Sequence, residues 1–234
     1  MYEILARYYD GLMSHVDYKA WADYMIMLAG PGKHRVLELG CGTGNFTRFL
    51  CERGLDAVAA DSSPSMLSVA QGKGIDALFI QQDMRELDLY GTVDAVFCAL
   101  DGMNHLLTPE DFCLALSKIH LFLEPGGAFV FDMLTSYDLS RKHQCTFSSE
   151  SSDALCIWRS EWEKPFCRSE VTLFALRENG CYARYNGEIT ERSYTRAQIE
   201  GFLSRAGFVD IKAYGMFTTE KPGRTRVAYT ARKI

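Results

Sequence analysis

VLELGCGTGNF, residues 36–46, decides the fold. Residues 35–40 (RVLELG) read as a short buried strand ending in Gly40. Gly40, Gly42 and Gly44 keep the backbone bare, so a ligand can approach it closely. Helical signal runs from Gly44 to about Arg53 and stops at Gly54. The start of that helix adds free N–H groups and a partial positive charge. A strand, a bare bend and a helix open a doubly wound sheet, whose ligands bind beyond the carboxyl ends of the strands.

Outward from this stretch, strands and helices alternate. Residues 56–60 (DAVAA) predict the next strand, and Ser63-Pro64 predicts a capped helix over 64–72. Strands follow at about 77–81 and 93–99. Thr108-Pro109 starts a helix whose Phe112, Leu116, Ile119 and Leu123 share one face. Pro125-Gly126-Gly127 stops it before a buried strand over 128–134. Such alternation predicts a parallel sheet with right-handed crossovers. The first thirty residues read as helix, with Asp17 as a cap and Trp21, Tyr24, Met25 and Leu28 as one apolar stripe. From about 154 to 194 the period changes to two, with turn signals at Lys164-Pro165, Asn179-Gly180 and Asn186-Gly187. That predicts an antiparallel meander of three or four strands, inserted at about 140–194. A capping box from Thr195 to Gln198 opens the last helix, and strands at about 208–214 and 224–232 close the chain. The expectation is one α/β domain over 1–234, with an N-terminal helical cap over 1–30.

Three acids stand around the bend. Glu38 lies two residues before the first glycine, Asp61 ends the second strand, and Asp83 follows the third. The dinucleotide fingerprint GxGxxG needs glycine at position 45, where this chain has Asn45. A carboxylate beside the loop repels a pyrophosphate and suits an ammonium or sulfonium charge. S-adenosylmethionine carries both and has no phosphate. A carboxylate at Asp61 can accept both ribose hydroxyls. Asp83 can accept the adenine 6-amino group, with the Met84 N–H near the ring and Met66 packed on the nucleoside.

VLELGCGTGNF, ADSSPSML (60–67), QQDM (81–84) and PGGAFVFDML (125–134) resemble the Rossmann-like class I S-adenosylmethionine-dependent methyltransferases over nearly the whole chain. RYYDGLM (7–13) and the meander resemble a small-molecule bacterial subgroup that includes amino-sugar N-methyltransferases. The resemblance implies a seven-stranded, mostly parallel sheet whose last strand is antiparallel. It implies S-adenosylmethionine as cofactor, S-adenosylhomocysteine as product, and a cofactor set of Tyr9, Glu38, Gly40, Cys41, Gly42, Gly44, Asp61, Ser62, Met66, Asp83, Met84 and Ala99.

The chemistry belongs beyond the fourth strand, in CALDGMNHL (98–106). His105 is the candidate base, since a histidine side chain titrates at about pH 6.5. Asp101 is the candidate to orient it or to bind an acceptor amine. Trp158, Trp162, Tyr185 and Arg192 are candidates to line the acceptor pocket or simply to pack across strands. No histidine has a chelating partner, so no metal is expected. The motifs NPPY and DPPY of nucleic-acid and related amide-nitrogen methyltransferases are absent. The 25 Lys and Arg against 30 Asp and Glu give a charge of −5, which argues against nucleic acid and anionic membranes as partners. The opening MYEILARYYDGL has no basic and apolar leader pattern. The eight cysteines, none in a CxxC pair, then read as reduced thiols in the cytoplasm. The expectation is methyl transfer to nitrogen or oxygen of a small molecule. A non-catalytic S-adenosylmethionine-binding regulator and an NAD-dependent oxidoreductase are the alternatives. Whether the meander is a lid or the surface of a homodimer stays open.

Overall fold

The computed structural model describes residues 2–142 and 146–234; Cys145 lies outside them. The expected single N-terminal helix is two. Helix α1 (Tyr2–Leu12) ends before a turn, and α2 (Tyr18–Ala29) starts afresh where Asp17 accepts the Ala20 N–H at 2.9 Å. A side chain that can cap a helix marks a start, and here the chain upstream of it has already left helical geometry.

The α/β part follows in order: β1 (Arg35–Leu39), α3 (Asn45–Glu52), β2 (Asp56–Asp61), α4 (Pro64–Gln71), β3 (Leu78–Gln81), β4 (Val93–Cys98), α5 (Pro109–Phe122) and β5 (Leu123–Met133). Helix α6 (Ser136–Lys142) leads into β6 (Thr146–Glu150), β7 (Ala154–Glu163), β8 (Phe166–Leu176) and β9 (Tyr182–Arg192). Helix α7 (Arg196–Arg205), β10 (Val209–Gly215) and β11 (Val227–Arg232) end the chain. The large sheet has seven strands in the order β10-β11-β5-β4-β1-β2-β3. Strands β1 to β5 pair in parallel, and β11 runs antiparallel between β5 and β10. The chain therefore has the Rossmann-like α/β fold expected from its sequence.

Both faces of the sheet are covered, which is why β1 and β4 carry buried side chains on both sides. Leu37, Leu39, Val96, Phe129 and Phe131 point to one side with Phe112, Ile119 and Phe202 of α5 and α7. Phe129 stacks on Phe131 at 4.5 Å, and Phe131 on Tyr229 at 5.1 Å. Val36, Phe97 and Val130 point to the other side, against Trp21 and Met25 of α2 and Phe46 and Leu50 of α3. Each such side chain contributes roughly 1.5–3 kcal/mol by leaving water.

The meander is the four-stranded sheet β6-β7-β8-β9, antiparallel throughout. Lys164-Pro165 and Asn179-Gly180 lie in its turns, as expected. Asn186-Gly187 does not. Gly187 sits inside β9, opposite Val171. Its extended backbone fits the strand, and the alternation of β9 runs straight through it, so the local turn propensity yields to the ladder with β8. Pro125-Gly126-Gly127 also belongs to a strand: β5 begins at Leu123 and bulges there, with its pairing to β4 slipping between Val93 and Ala95. Among the described residues no helix is long and apolar enough to cross a membrane.

Candidate active site

The site grows from the carboxyl end of β1. Gly40, Gly42 and Gly44 have φ of +69°, +53° and +78°, the left-handed region that favours glycine. The Gly40 and Cys41 N–H groups both donate to the Ala60 carbonyl, at 2.8 and 3.0 Å, which ties the bend to the end of β2. Asp61 completes that tie. One of its oxygens accepts the Gly42 N–H and the other the Ser63 N–H, each at 2.8 Å. Its carboxylate is thereby fixed at the rim before any ligand arrives.

Glu38 is buried in β1 and accepts the Thr47 hydroxyl at 2.5 Å. Burial, with Asp61 nearby adding to it, pushes its carboxyl up to about 8 against the pull of the Thr47 bond. The Cys41 thiol is pushed far up by burial and stays neutral. Asp83 is held by its neighbour Arg85: Nε donates to one oxygen at 2.9 Å and Nη2 to the other at 2.7 Å. That grip, opposed by burial, lowers the Asp83 carboxyl. Arg85 also reaches Asp111 near the start of α5, at 3.3 Å.

These groups enclose a cavity of about 500 Å³. Tyr9, Glu38, Gly40, Cys41, Gly42, Asp61, Ser62, Met66, Asp83, Met84, Ala99 and His105, all expected from the sequence, line it. Gly44 and Asp101 do not. Gly44 stands behind the bend as the cap of α3, where an added Cβ would lie 3.1–3.2 Å from Ile75, Ala70 and Phe79. Asp101 turns away to Arg226, which it meets at 2.7 Å. Arg226 also pairs with the fully buried Asp132 and lies over the Trp21 ring at 5.4 Å. Burial and Asp101 raise the Asp132 carboxyl to about 6, although Arg226 opposes them.

The loop after β4 is strained. Leu100 and Asp101 have φ of +58° and +60°, a conformation disfavoured for side chains. It is held by the Asp101 N–H on Asp132 at 3.1 Å and by the short helical turn Gly102–His105. The buried Asn104 in that turn accepts the Leu134 N–H at 2.9 Å and donates to the carbonyls of Leu134 and Arg192 at 3.1 and 2.9 Å. The turn leaves His105 exposed on the cavity wall.

The meander residues proposed for the acceptor pocket do not line the cavity. Trp158 and Tyr185 pack against the α1 side of the meander, and Trp162 packs with Leu134, Leu139 and Cys167. Arg192 touches the wall indirectly, by donating to the Leu107 carbonyl at 2.7 Å. Sequence reasoning missed Tyr18, Arg85, Asp111 and Arg226. Arg85 was findable, two residues from Asp83 on one loop. Arg226 meets Asp101 across 125 positions, with no local signal.

The cavity fits a sulfonium nucleoside. Among the described residues, Arg85 is the one Lys or Arg on its wall, facing Asp61, Asp83 and Asp111, while Glu38 is neutral until a cation arrives. That balance opposes a pyrophosphate and favours a cation. The Tyr18 hydroxyl, on the same wall, is buried beside the Asn45 side chain without a hydrogen bond of good geometry. It is a donor suited to a ligand carboxylate beside Glu38.

Comparison with known proteins gives the same reading. Residues 36–127 match a family described as a methyltransferase domain. The Bacillus subtilis (strain 168) protein YqeM, which carries a methyltransferase name, is 32% identical over 95% of this chain and 92% of its own. A glycine/sarcosine N-methyltransferase of Halorhodospira halochloris is 27% identical over 85% of this chain and 75% of its own. The crystal structure of an S-adenosylmethionine-dependent methyltransferase from Clostridium acetobutylicum ATCC 824 has a TM-score of 0.86 and 27% identity, covering 99% of this chain and 98% of that one. Fold and site together define a Rossmann-like methyl-transferring enzyme. The chain belongs to the S-adenosylmethionine-dependent methyltransferase family.

Proposed function

We propose that this enzyme works in the cytoplasm and methylates a nitrogen or oxygen of a small molecule. The observation that carries the reading is one cavity bounded on one side by the acid-rimmed glycine bend and on the other by Ala99, Leu100, Gly102 and His105 of the loop after β4. Glu38 and Tyr18 would hold the amino-acid end of S-adenosylmethionine. Asp61, with lone pairs left beyond its two backbone bonds, would accept the ribose hydroxyls. Met66, Asp83 and Met84 would hold the adenine. The bound cofactor supplies a methyl group already activated on a positive sulfur.

The chain's task is then alignment and exclusion of water. The β4 loop presents the acceptor atom, and Tyr9 closes over it from α1. His105 takes the proton of an alcohol acceptor, or of an amine once methylated. A wall rich in carboxylates favours a neutral or cationic acceptor over an anionic one. The Halorhodospira relative, by its name, methylates the nitrogen of glycine and sarcosine, which supports nitrogen as the accepting atom.

The test is a metabolite extract incubated with the enzyme and methyl-labelled S-adenosylmethionine. Mass spectrometry should find the label on a compound of low mass. Label on protein or nucleic acid alone, or on nothing, overturns the proposal.

A further inference from the structure

Asp10 lies one position beyond Tyr9 on α1, and its carboxylate gathers donors from three other parts of the chain. Thr43 Oγ1 of the glycine bend and Asn45 Nδ2 at the start of α3 donate to one oxygen, at 2.6 and 2.8 Å. Lys73 Nζ, just past the end of α4, meets the other at 2.5 Å. Lys73 also donates to Asn45 Oδ1 at 2.8 Å, which closes the network. Lys73 is mostly shielded, with 15% of its side chain exposed against 41% for Asp10. Burial raises the Asp10 carboxyl, but Lys73, Thr43 and Asn45 together outweigh it, so it sits below its ordinary value.

The other side of α1 is fastened differently. Leu5 and Leu12 pack with Ala154, Cys156, Val171 and Leu173 of the meander. Ser149 Oγ donates to the Leu12 carbonyl at 2.6 Å. Gly11 lies so close that an added Cβ would stand 2.9 Å from Ser151. The helix is thus seated on the meander by apolar packing and joined to the cofactor bend by polar side chains. Tyr9 and Gly40–Gly42 stand on the same cavity wall, and the Asp10 network spans the two segments that carry them. To part α1 from the bend, these bonds must break.

We propose that Asp10, with Lys73 as its counter-charge, is a latch: a positioning residue that fastens the Tyr9-bearing helix to the cofactor bend and limits how fast S-adenosylhomocysteine leaves. The inference rests on the reading that this cavity takes the cofactor. Asp10 touches no reacting atom. It acts through the helix and the bend, so the step it controls is opening of the pocket rather than methyl transfer.

The experiment is release of radiolabelled S-adenosylhomocysteine from the preloaded full-length enzyme into excess unlabelled S-adenosylmethionine. Asp10→Asn and Lys73→Met should each speed release about tenfold, the scale set by one charge-assisted hydrogen bond. The double variant should release no faster than the faster single one, because both substitutions open the same network. Release from the wild type should quicken at about 1 M KCl, where the Debye length falls to about 3 Å and salt reaches the pair through the exposed side of Asp10, and release from either variant should not. A purely structural role would lower the melting temperature of the ligand-free enzyme and leave that salt dependence intact. Lys73→Met lies outside α1 and keeps the test open should Asp10→Asn fold poorly. Release rates within roughly threefold of wild type in both variants overturn the latch. A wild type that holds no S-adenosylhomocysteine overturns the cofactor reading itself, and the latch with it.

Discussion

Thr47 Oγ1 donates to Glu38 Oε2 at 2.5 Å, so the acid at the back of the cofactor cavity is held by a neutral hydroxyl and not by a cation. Burial therefore decides its charge, and the carboxyl rises to about 8. A positive ligand supplies what the protein withholds.

The first prediction is that affinity for S-adenosylmethionine depends on pH. The free enzyme keeps Glu38 protonated below about 8, and a cationic ligand favours the ionised form. Affinity should rise from pH 6.5 to 8.5, and protons should be released on binding, as calorimetry in buffers of different ionisation enthalpy would read. Ligand-free stability runs the other way. The folded value near 8 lies above the ordinary 4.5, so the native state binds more protons between those limits, and this contribution weakens as pH rises through them. Glu38→Gln should flatten both profiles. A wild-type affinity that is constant across the window contradicts the assignment.

Asp61 carries the second prediction. Asp61→Ala should weaken S-adenosylmethionine by about 2 kcal/mol, the scale of hydrogen bonds to a charged group. It also frees the Gly42 and Ser63 N–H groups that Asp61 holds, so the bend should loosen as well. Titration calorimetry showing unchanged affinity removes Asp61 from the cofactor set.

His105 separates binding from chemistry. His105→Ala should leave S-adenosylmethionine affinity intact and slow methyl transfer ~10²-fold, the usual range for a positioned base. Single-turnover rates on the acceptor found in the extract screen would measure it. An unchanged rate assigns the histidine to the loop's structure alone.

Arg226 tests the buried charge cluster. Arg226→Met leaves Asp101 and Asp132 facing each other without their cation, a loss of roughly 3–5 kcal/mol at neutral pH. Arg226 stabilises the ionised carboxylates. The deficit should therefore be largest above pH 7 and shrink as pH falls through about 6, where Asp132 takes up its proton. Urea midpoints of wild type and variant at pH 7.5 and 5.5 would show it. Equal deficits at both values would falsify the assigned coupling.

The large sheet and most of the cavity wall were legible because their signals are local. Gly40 and Gly42 are required by backbone geometry, and Asp61 and Asp83 fall at strand ends that periodicity locates. The break between α1 and α2 was not legible, since both helices carry apolar stripes and Asp17 could be read as capping either a whole helix or a second one. Asn186-Gly187 misled because a dipeptide's turn preference is weak beside a full ladder of cross-strand bonds. Asp101 was placed at the correct strand end, but its side chain is claimed by Arg226, which arrives from the far end of the chain. Pairings of that kind are set by tertiary packing, and no spacing in the sequence announces them.

One side chain, Asn104, grips the chain at Leu134, where it leaves the large sheet, and at Arg192, where it comes back. The excursion between those points is bracketed like a cassette at its two ends. Its strands could be lengthened, shortened or exchanged over evolutionary time while the floor beneath the reacting atoms keeps its shape. The excursion could then drift in such an enzyme while the donor half stays fixed.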